Sequence, residues 1–343
     1  MSWIDTTYEK AMKRYFIDKL GEVKGVELYE DYASVRNAMV KDNFFPEIKG
    51  VEPNLSDHSE RHIQDVFERT YKVLGNDGFK KLDVYEIYCL ALMILFHDVG
   101  NIFGRDGHES IRNIAEVYNR YRNNVENYRE ERRVISVGAS AHSGRTKDGS
   151  KDTLKTVNED SLKGHKIDLR ELAAILRFSD ELAEGKQRTC SFLINNNLID
   201  PESEIYHKYA QITEIQIDRN LERISIKYDI DIPSNFDEDS KKKIEDLIRF
   251  TYYRAVKLDI ERRYTKYYSE ILKSFKYVAV HYNFSKGEIP IEVDLEQIIF
   301  EDRYPVPGED YFSKKESAEE LFVEKNSNYE IIKLIENLNS AIV

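Results

Sequence analysis

The chain has 343 residues, 41% of them hydrophobic, which is enough for one large domain or two of ordinary size and too apolar for a wholly disordered chain. A formal net charge of −12 excludes a broad basic surface for wrapping duplex nucleic acid, while leaving room for a local basic pocket. The two cysteines, Cys89 and Cys190, make neither a disulfide framework nor a thiolate metal site, which fits a reducing, cytoplasmic compartment.

The N-terminal MSWIDTTYEKAMKRYFIDKL mixes both charge signs with apolar residues at helical spacing, so it is read as neither a signal nor a transit peptide. Residues 5–40 read as two amphipathic helices broken near Gly21 and Gly25. Asn43 to Asn54 carries two prolines and a glycine and reads as a loop, with Ser56 or Asp57 capping a helix that runs to about Leu74. His58 and His62 are four apart and share a face of that helix, with Ile63, Val66, Phe67 and Val73 on its buried side. Gly75 to Gly78 reads as a turn.

Leu82 to Phe96 predicts a helix apolar on most of its faces, hence a core helix. Its longest uncharged apolar run, Ile87 to Phe96, is too short to cross a bilayer. His97 and Asp98 stand at its buried end, where two ionisable groups are costly to desolvate unless something pairs with them. The segment VGNIFGRDGHE reads as a glycine-rich loop, with Asp106 capping a helix from about His108 to Arg122. That placement puts His108 in a first turn, where the helix dipole disfavours a protonated imidazole.

A charged helix follows over residues 126–140 and ends in ASAHSGR, and Asp148 to Gly164 reads as a polar, mobile connection. Residues 168–184 predict a helix capped by Asp168, with Leu172, Ala173, Ile175, Leu176, Ser179 and Leu182 along its apolar stripe. Asp180 lies beside that stripe and should have a partner. Beyond residue 200, Ala210 to Ile217 and Arg223 to Ile230 read as a hairpin. A long charged helix from Phe236 to Phe275, a strand-like KYVAVHYNF, a short IPIEVDL and a small amphipathic helix at Tyr329 to Leu338 complete the chain. The fold class is mostly α with a smaller α+β C-terminal region, divided as N-terminal helices packing on the core (1–50), a central domain (51–200) and the α+β part (201–343).

In chain order the sequence supplies His62, His97 with Asp98, His108, His142 and Asp180, each on or beside a predicted helix. Imidazoles and carboxylates without cysteine suit a divalent ion such as manganese, iron, nickel or zinc, with magnesium, which prefers more oxygen, the outlying choice. Such an ion polarises a phosphoryl oxygen and eases the ionisation of water, and hydrolysis of a phosphate ester needs both. Arg105 and Arg145 sit in glycine-flanked loops and are the arginines best placed to clamp a phosphate, whereas Arg61, Arg177 and Arg188 read as surface ion-pair partners. His165, His207, His281 and Cys89 read as structural.

These residues resemble the HD superfamily of metal-dependent phosphohydrolases. The resemblance covers about residues 54–190 and is carried by DHSERHIQDV, LFHDVG, GHES, AHSG and LRFSDELAEGKQR. It implies a helical HD-type domain over 51–200 and metal ligation by His62, His97, Asp98 and Asp180. It further implies His108 and His142 at a second metal or on the scissile phosphate. On the residues themselves, His108 or His142 is the group to stabilise or protonate the departing oxygen, Glu109 the one to orient His108, and Arg105 and Arg145 the ones to neutralise phosphate charge, while His58 reads equally as a cap-side surface residue and as a ligand neighbour on the substrate. The GHES segment resembles the His-Glu element of deoxynucleoside triphosphate triphosphohydrolases, although here it follows the dyad unusually soon. The AHSG and LRFSDEL segments resemble bacterial HD proteins of conflict and anti-phage systems, whose substrates are generally nucleotides.

The expected function is therefore hydrolysis of a nucleotide, a deoxynucleoside triphosphate first. The alternatives are a phosphodiesterase or nuclease on cyclic nucleotides or single strands, and a non-catalytic nucleotide-binding regulatory module. Family analogy implies a homo-oligomer, and the long charged helix suits an oligomer or partner-protein interface. No membrane partner is expected.

Overall fold

Thr6 opens the first helix: its side chain accepts from the Glu9 amide while the Glu9 carboxylate accepts from the Thr6 amide, a reciprocal capping box. The computed structural model describes residues 3–51, 59–122, 128–196, 198–233, 235–293, 295, 297–302, 336–338 and 340. They fall into two compact units, one from the described residues of Met1–Ala183 with Tyr264–Lys273, the other from those of Glu184–Arg263 with Ser274–Pro305.

In the first unit α1 (Thr7–Leu20) turns at Gly21, whose φ is +81°, into α2 (Glu22–Lys41). Gly25 does not break the chain as expected but lies inside α2. A Cβ there would meet the Ile17 backbone at 2.5 Å, so the bare glycine lets α1 and α2 touch. The loop expected after Asn43 is corrected to a helix, α3 (Phe44–Val51), in which Pro46 falls in the first turn, where no amide hydrogen is needed.

Helix α4 (Glu60–Phe79) is capped by Ser59 and consists of two helical stretches that meet at Gly75, where φ 58° and ψ 179° leave the helical region just after Leu74, the end the sequence predicts for the first stretch. The expected caps Ser56 and Asp57 lie outside the described residues. Helix α5 (Val84–Phe96) has its own capping box between Asp83 and Glu86, and every residue from Ile87 to Phe96 is buried. With the 3-10 turn Val99–Phe103 it forms a segment long and apolar enough to cross a membrane, Val84–Phe103, but 83% of that window is buried inside the protein. It is the core helix. Around it stand α6 (Ile111–Tyr121), α7 (Tyr128–Ser140) and α8 (Leu169–Glu181), the last capped by Asp168 as predicted. Helix α8 packs on α4, α5 and α7.

The polar connection expected at Asp148 to Gly164 is corrected too. It buries Asp152, Thr153, Leu154 and Val157 and includes β1 (Asp160–Leu162), which pairs with β2 (His165–Ile167) just beyond it in a hairpin. Asp152 is satisfied there by the hydroxyls of Tyr264 and Tyr268, each 2.9 Å from its Oδ1.

A buried polar network locks the base of α5. The Glu131 carboxylate, fully buried, accepts from Tyr118 at 2.5 Å, Tyr88 at 3.1 Å and Arg122 Nε at 2.8 Å, and Arg122 also reaches Asp31 at 2.6 and 2.8 Å. Burying a charge is tolerable only with this degree of pairing.

The second unit holds α9 (Ser191–Asn195), α10 (Glu204–Ile212) and a five-stranded sheet. The predicted hairpin is present as β3 (Thr213–Asp218) antiparallel to β4 (Arg223–Asp231), although Ala210 to Ile212 complete α10 instead of opening the strand. Alternation along β4 buries Ile224, Ile226, Tyr228 and Ile230. The long helix α11 spans Glu238–Tyr268, shorter than expected at both ends; its residues to Arg263 belong to the second unit and the rest to the first. It serves as the crossover that lets β5 (Tyr277–Lys286) pair parallel to β4. Strands β6 (Ile289–Ile291) and β7 (Ile298–Phe300) both pair with β5. The helix expected at Tyr329 to Leu338 falls almost wholly outside the described residues.

Candidate metal centre

Five segments of the first unit deliver side chains to one place. The first turn of α4 supplies His62, the end of α5 supplies His97 and Asp98, the last turn of α8 supplies Asp180, and the segments flanking α6 and α7 supply His108 and His142. All six but Asp180 are buried, and the Asp180 side chain is 26% exposed.

The donors form two clusters, His62 with His97 and Asp180, and Asp98 with His108 and His142. In the first, His62 Nε2 lies 3.2 Å from Asp180 Oδ1, and His97 Nε2 lies 3.6 Å from the same oxygen. Asp98 faces both clusters with different oxygens. Its Oδ2 is 3.5 Å from His62 Nε2 and 3.4 Å from His97 Nε2, and its Oδ1 is 3.6 Å from His142 Nε2 and 3.8 Å from His108 Nε2.

Backbone carbonyls settle which nitrogen of each ring carries the proton. Nδ1 of His97 is 2.8 Å from Ile94 O, Nδ1 of His142 is 2.7 Å from Ala139 O, and Nδ1 of His108 is 3.0 Å from Arg105 O. A carbonyl can only accept, so in each neutral ring Nδ1 donates and Nε2 turns its lone pair inward. Glu109 Oε2, 3.1 Å from His108 Nδ1, reinforces that tautomer.

These donors fit a divalent ion. Bonds to such an ion are about 2.0–2.2 Å, so two donors sharing it stand about 3.0–3.5 Å apart, close to the spacing seen here. His97 Nε2 is buried and makes no hydrogen bond, an arrangement that costs about 1–3 kcal/mol without a cation to meet it. The electrostatics agree. Burial opposes a proton on His97, but the Asp98 and Asp180 carboxylates outweigh it and hold its pKa well above the ordinary value. Burial likewise opposes charge on Asp180, and the His62 and His97 imidazoles outweigh it and hold that carboxyl well below its usual range. The first cluster thus calls for positive charge, which a divalent ion supplies.

His108 behaves differently from the expectation. It lies in a turn before α6, which is capped by Ser110 and not by Asp106, so the dipole of that helix does not set its state. Its pKa is lowered by burial first and then by His142, against the pull of Asp98.

Arg105 Nη1 stands 3.2 Å from Asn101 Oδ1 and 3.4 Å from His108 Nε2, while Asn101 Nδ2 donates to Asp98 O at 3.0 Å. Gly100 lets this turn pack closely on the His108 backbone, since a Cβ there would fall 1.9 Å from His108 O. Arg145 is exposed and donates to Gly149 O at 2.9 Å. Arg177 donates to Thr153 and lies 4.6 Å over the Tyr264 ring. His58 lies outside the described residues. Sequence reasoning gave no role to Asn101 or to Ser143, whose hydroxyl is 3.1 Å from His142 Nε2; its place in AHSG, next to a candidate histidine, was the available signal.

Over residues 52–263 the sequence matches the HD-CE family, a span that contains every residue of both clusters. No curated protein and no solved structure matches the chain. With more than half of its length matched, the chain belongs to the HD-CE family.

Proposed function

We propose that this protein is a metal-dependent phosphohydrolase acting on a nucleotide, with a deoxynucleoside triphosphate the leading substrate. Membership of an HD-type family and the paired His/Asp clusters support a metal-dependent hydrolase. The observation that carries the phosphoryl reading is Asp98, whose two carboxylate oxygens each face a separate donor cluster. A pair of ions about 3.5–4 Å apart is a recurring arrangement for in-line displacement at phosphorus. Divalent ions there supply Lewis-acid stabilisation of phosphoryl charge and make water a nucleophile at neutral pH.

The chain's own residues divide the remaining work. His62, His97 and Asp180 would hold one ion and His108 and His142 a second, with Asp98 placed to serve either. The carbonyls of Ile94, Arg105 and Ala139 keep protons on Nδ1, so that the three Nε2 atoms stay available as donors. Glu109 orients His108. Arg105, beside the second cluster, neutralises a phosphate oxygen, and Arg145 is the second candidate for that task.

The test is ion-dependent turnover of a panel of deoxynucleoside and ribonucleoside triphosphates, cyclic nucleotides and oligonucleotides. Deoxynucleoside triphosphates should be hydrolysed, and Asp98→Ala should abolish turnover while the protein stays folded. A variant as active as the wild type overturns the reading. Cleavage of cyclic nucleotides or oligonucleotides alone would keep the centre and change the substrate.

A further inference from the structure

We propose that Ser143 is a fourth donor of the second cluster, so that an ion held by Asp98, His108 and His142 is also held through Ser143 Oγ. This rests on the reading that the second cluster binds an ion. The Ser143 hydroxyl lies 3.1 Å from His142 Nε2 and 3.4 Å from His108 Nε2, closer to both than Asp98 Oδ1 is, at 3.6 and 3.8 Å. Both nitrogens present lone pairs, since both rings donate from Nδ1 to backbone carbonyls. A hydroxyl has one proton and can give it to only one of the two. Two imidazole lone pairs, a carboxylate oxygen and a hydroxyl oxygen facing each other form a donor set for a cation.

The position of Ser143 is fixed from both sides. It follows His142 directly past the end of α7, and Gly144 turns the chain immediately after it at φ +79°. A Cβ at Gly144 would meet the Glu109 side chain at 2.4–2.8 Å, so this turn is packed against the residue that orients His108. Arg105 Nη1 also approaches His108 Nε2, at 3.4 Å, but its long side chain can withdraw from an ion where a serine anchored in the turn cannot.

The two clusters then differ in character. The first has Asp180 to itself and shares Asp98, while the second only shares Asp98 and adds a neutral hydroxyl. The second ion is therefore the weaker one, and the hydroxyl matters most to it.

The experiment titrates metal-free full-length protein with Co2+. In Ser143→Cys, a thiolate-to-cobalt charge-transfer band should grow in the near ultraviolet with the second equivalent. It should be absent from the wild type, because neither Cys89, buried in α5, nor Cys190 belongs to either donor cluster. Ser143→Ala should keep the first equivalent and bind the second on the order of tenfold to a hundredfold more weakly. Two equivalents of wild-type affinity in Ser143→Ala, with no band in Ser143→Cys, overturn the proposal and leave the two-ion reading standing. A wild type that takes up a single equivalent overturns both.

Discussion

Gly100→Ala is the sharpest single-atom perturbation of this centre. The backbone at Gly100 is not in the left-handed region, so alanine carries no conformational penalty, and the effect is steric alone. The added Cβ falls 1.9 Å from His108 O, 2.7 Å from His108 C and 3.0 Å from its Cα, against a closest tolerable approach of 3.0 Å. The His108 segment therefore has to retreat by about 1 Å or more, and a misplacement of that size costs catalysis about a hundredfold. Overpacking of this kind costs stability about 1–3 kcal/mol, a fall in Tm of several degrees that leaves the protein folded. The first cluster does not include His108 and should keep its ion. Calorimetric titration with Mn2+, hydrolysis rates and thermal melts followed by circular dichroism read out all three effects. Wild-type stoichiometry with wild-type turnover would refute the packing of His108 against Gly100 as the support of the second cluster.

Arg122→Met removes the only guanidinium from the network at the base of α5 among the described residues and leaves the fully buried Glu131 carboxylate with tyrosines alone. Urea denaturation should show a loss of about 3–5 kcal/mol, and a loss below 1 kcal/mol would contradict the pairing. Asp31 supplies a pH signature. Burial raises its pKa, but the hydrogen bond and charge of Arg122, with Lys163 and Tyr88, outweigh burial and leave it lowered. Its folded pKa thus lies below the unfolded value of about 3.9, so its contribution to stability is complete above that value and fades as the pH falls through the folded pKa. The gap in urea midpoint between wild type and Asp31→Asn should be widest at about pH 6 and shrink steadily as the pH is taken below about 3.9; an unchanged gap sinks the assignment. Chelation should lower Tm, and Mn2+ at a hundred times its Kd should restore about 2.7 kcal/mol. Asp98→Ala should lose most of that response, and an equal response in both proteins would place the ion elsewhere.

Much of this architecture was legible in the chain because its cues are local. An apolar run capped at Asp83 and Asp168 gives α5 and α8, and alternation gives β4. The His97-Asp98 dyad at the end of a core helix marked the place where donors from α4 and α8 gather. What escaped was set by distant partners. The segment from Asp148 looks like a solvated linker, yet Asp152 is buried because Tyr264 and Tyr268, more than a hundred residues later, satisfy it. Residues 44–51 look like a loop because proline and glycine suggest one, but Pro46 sits where a helix tolerates it. The state of His108 was sought in a helix dipole, whereas burial and His142 decide it. Ser143 shows its relation to His108 only in space, 35 residues away in the chain.

The central claim is that Asp98 joins two ion sites, and anomalous diffraction from crystals soaked in Mn2+ measures it directly. The account predicts two peaks about 3.5–4 Å apart, one among His62, His97 and Asp180, the other among His108 and His142, with the Asp98 carboxylate between them. A map without a peak beside Asp98, in protein that turns over nucleotide under the same Mn2+, would contradict it.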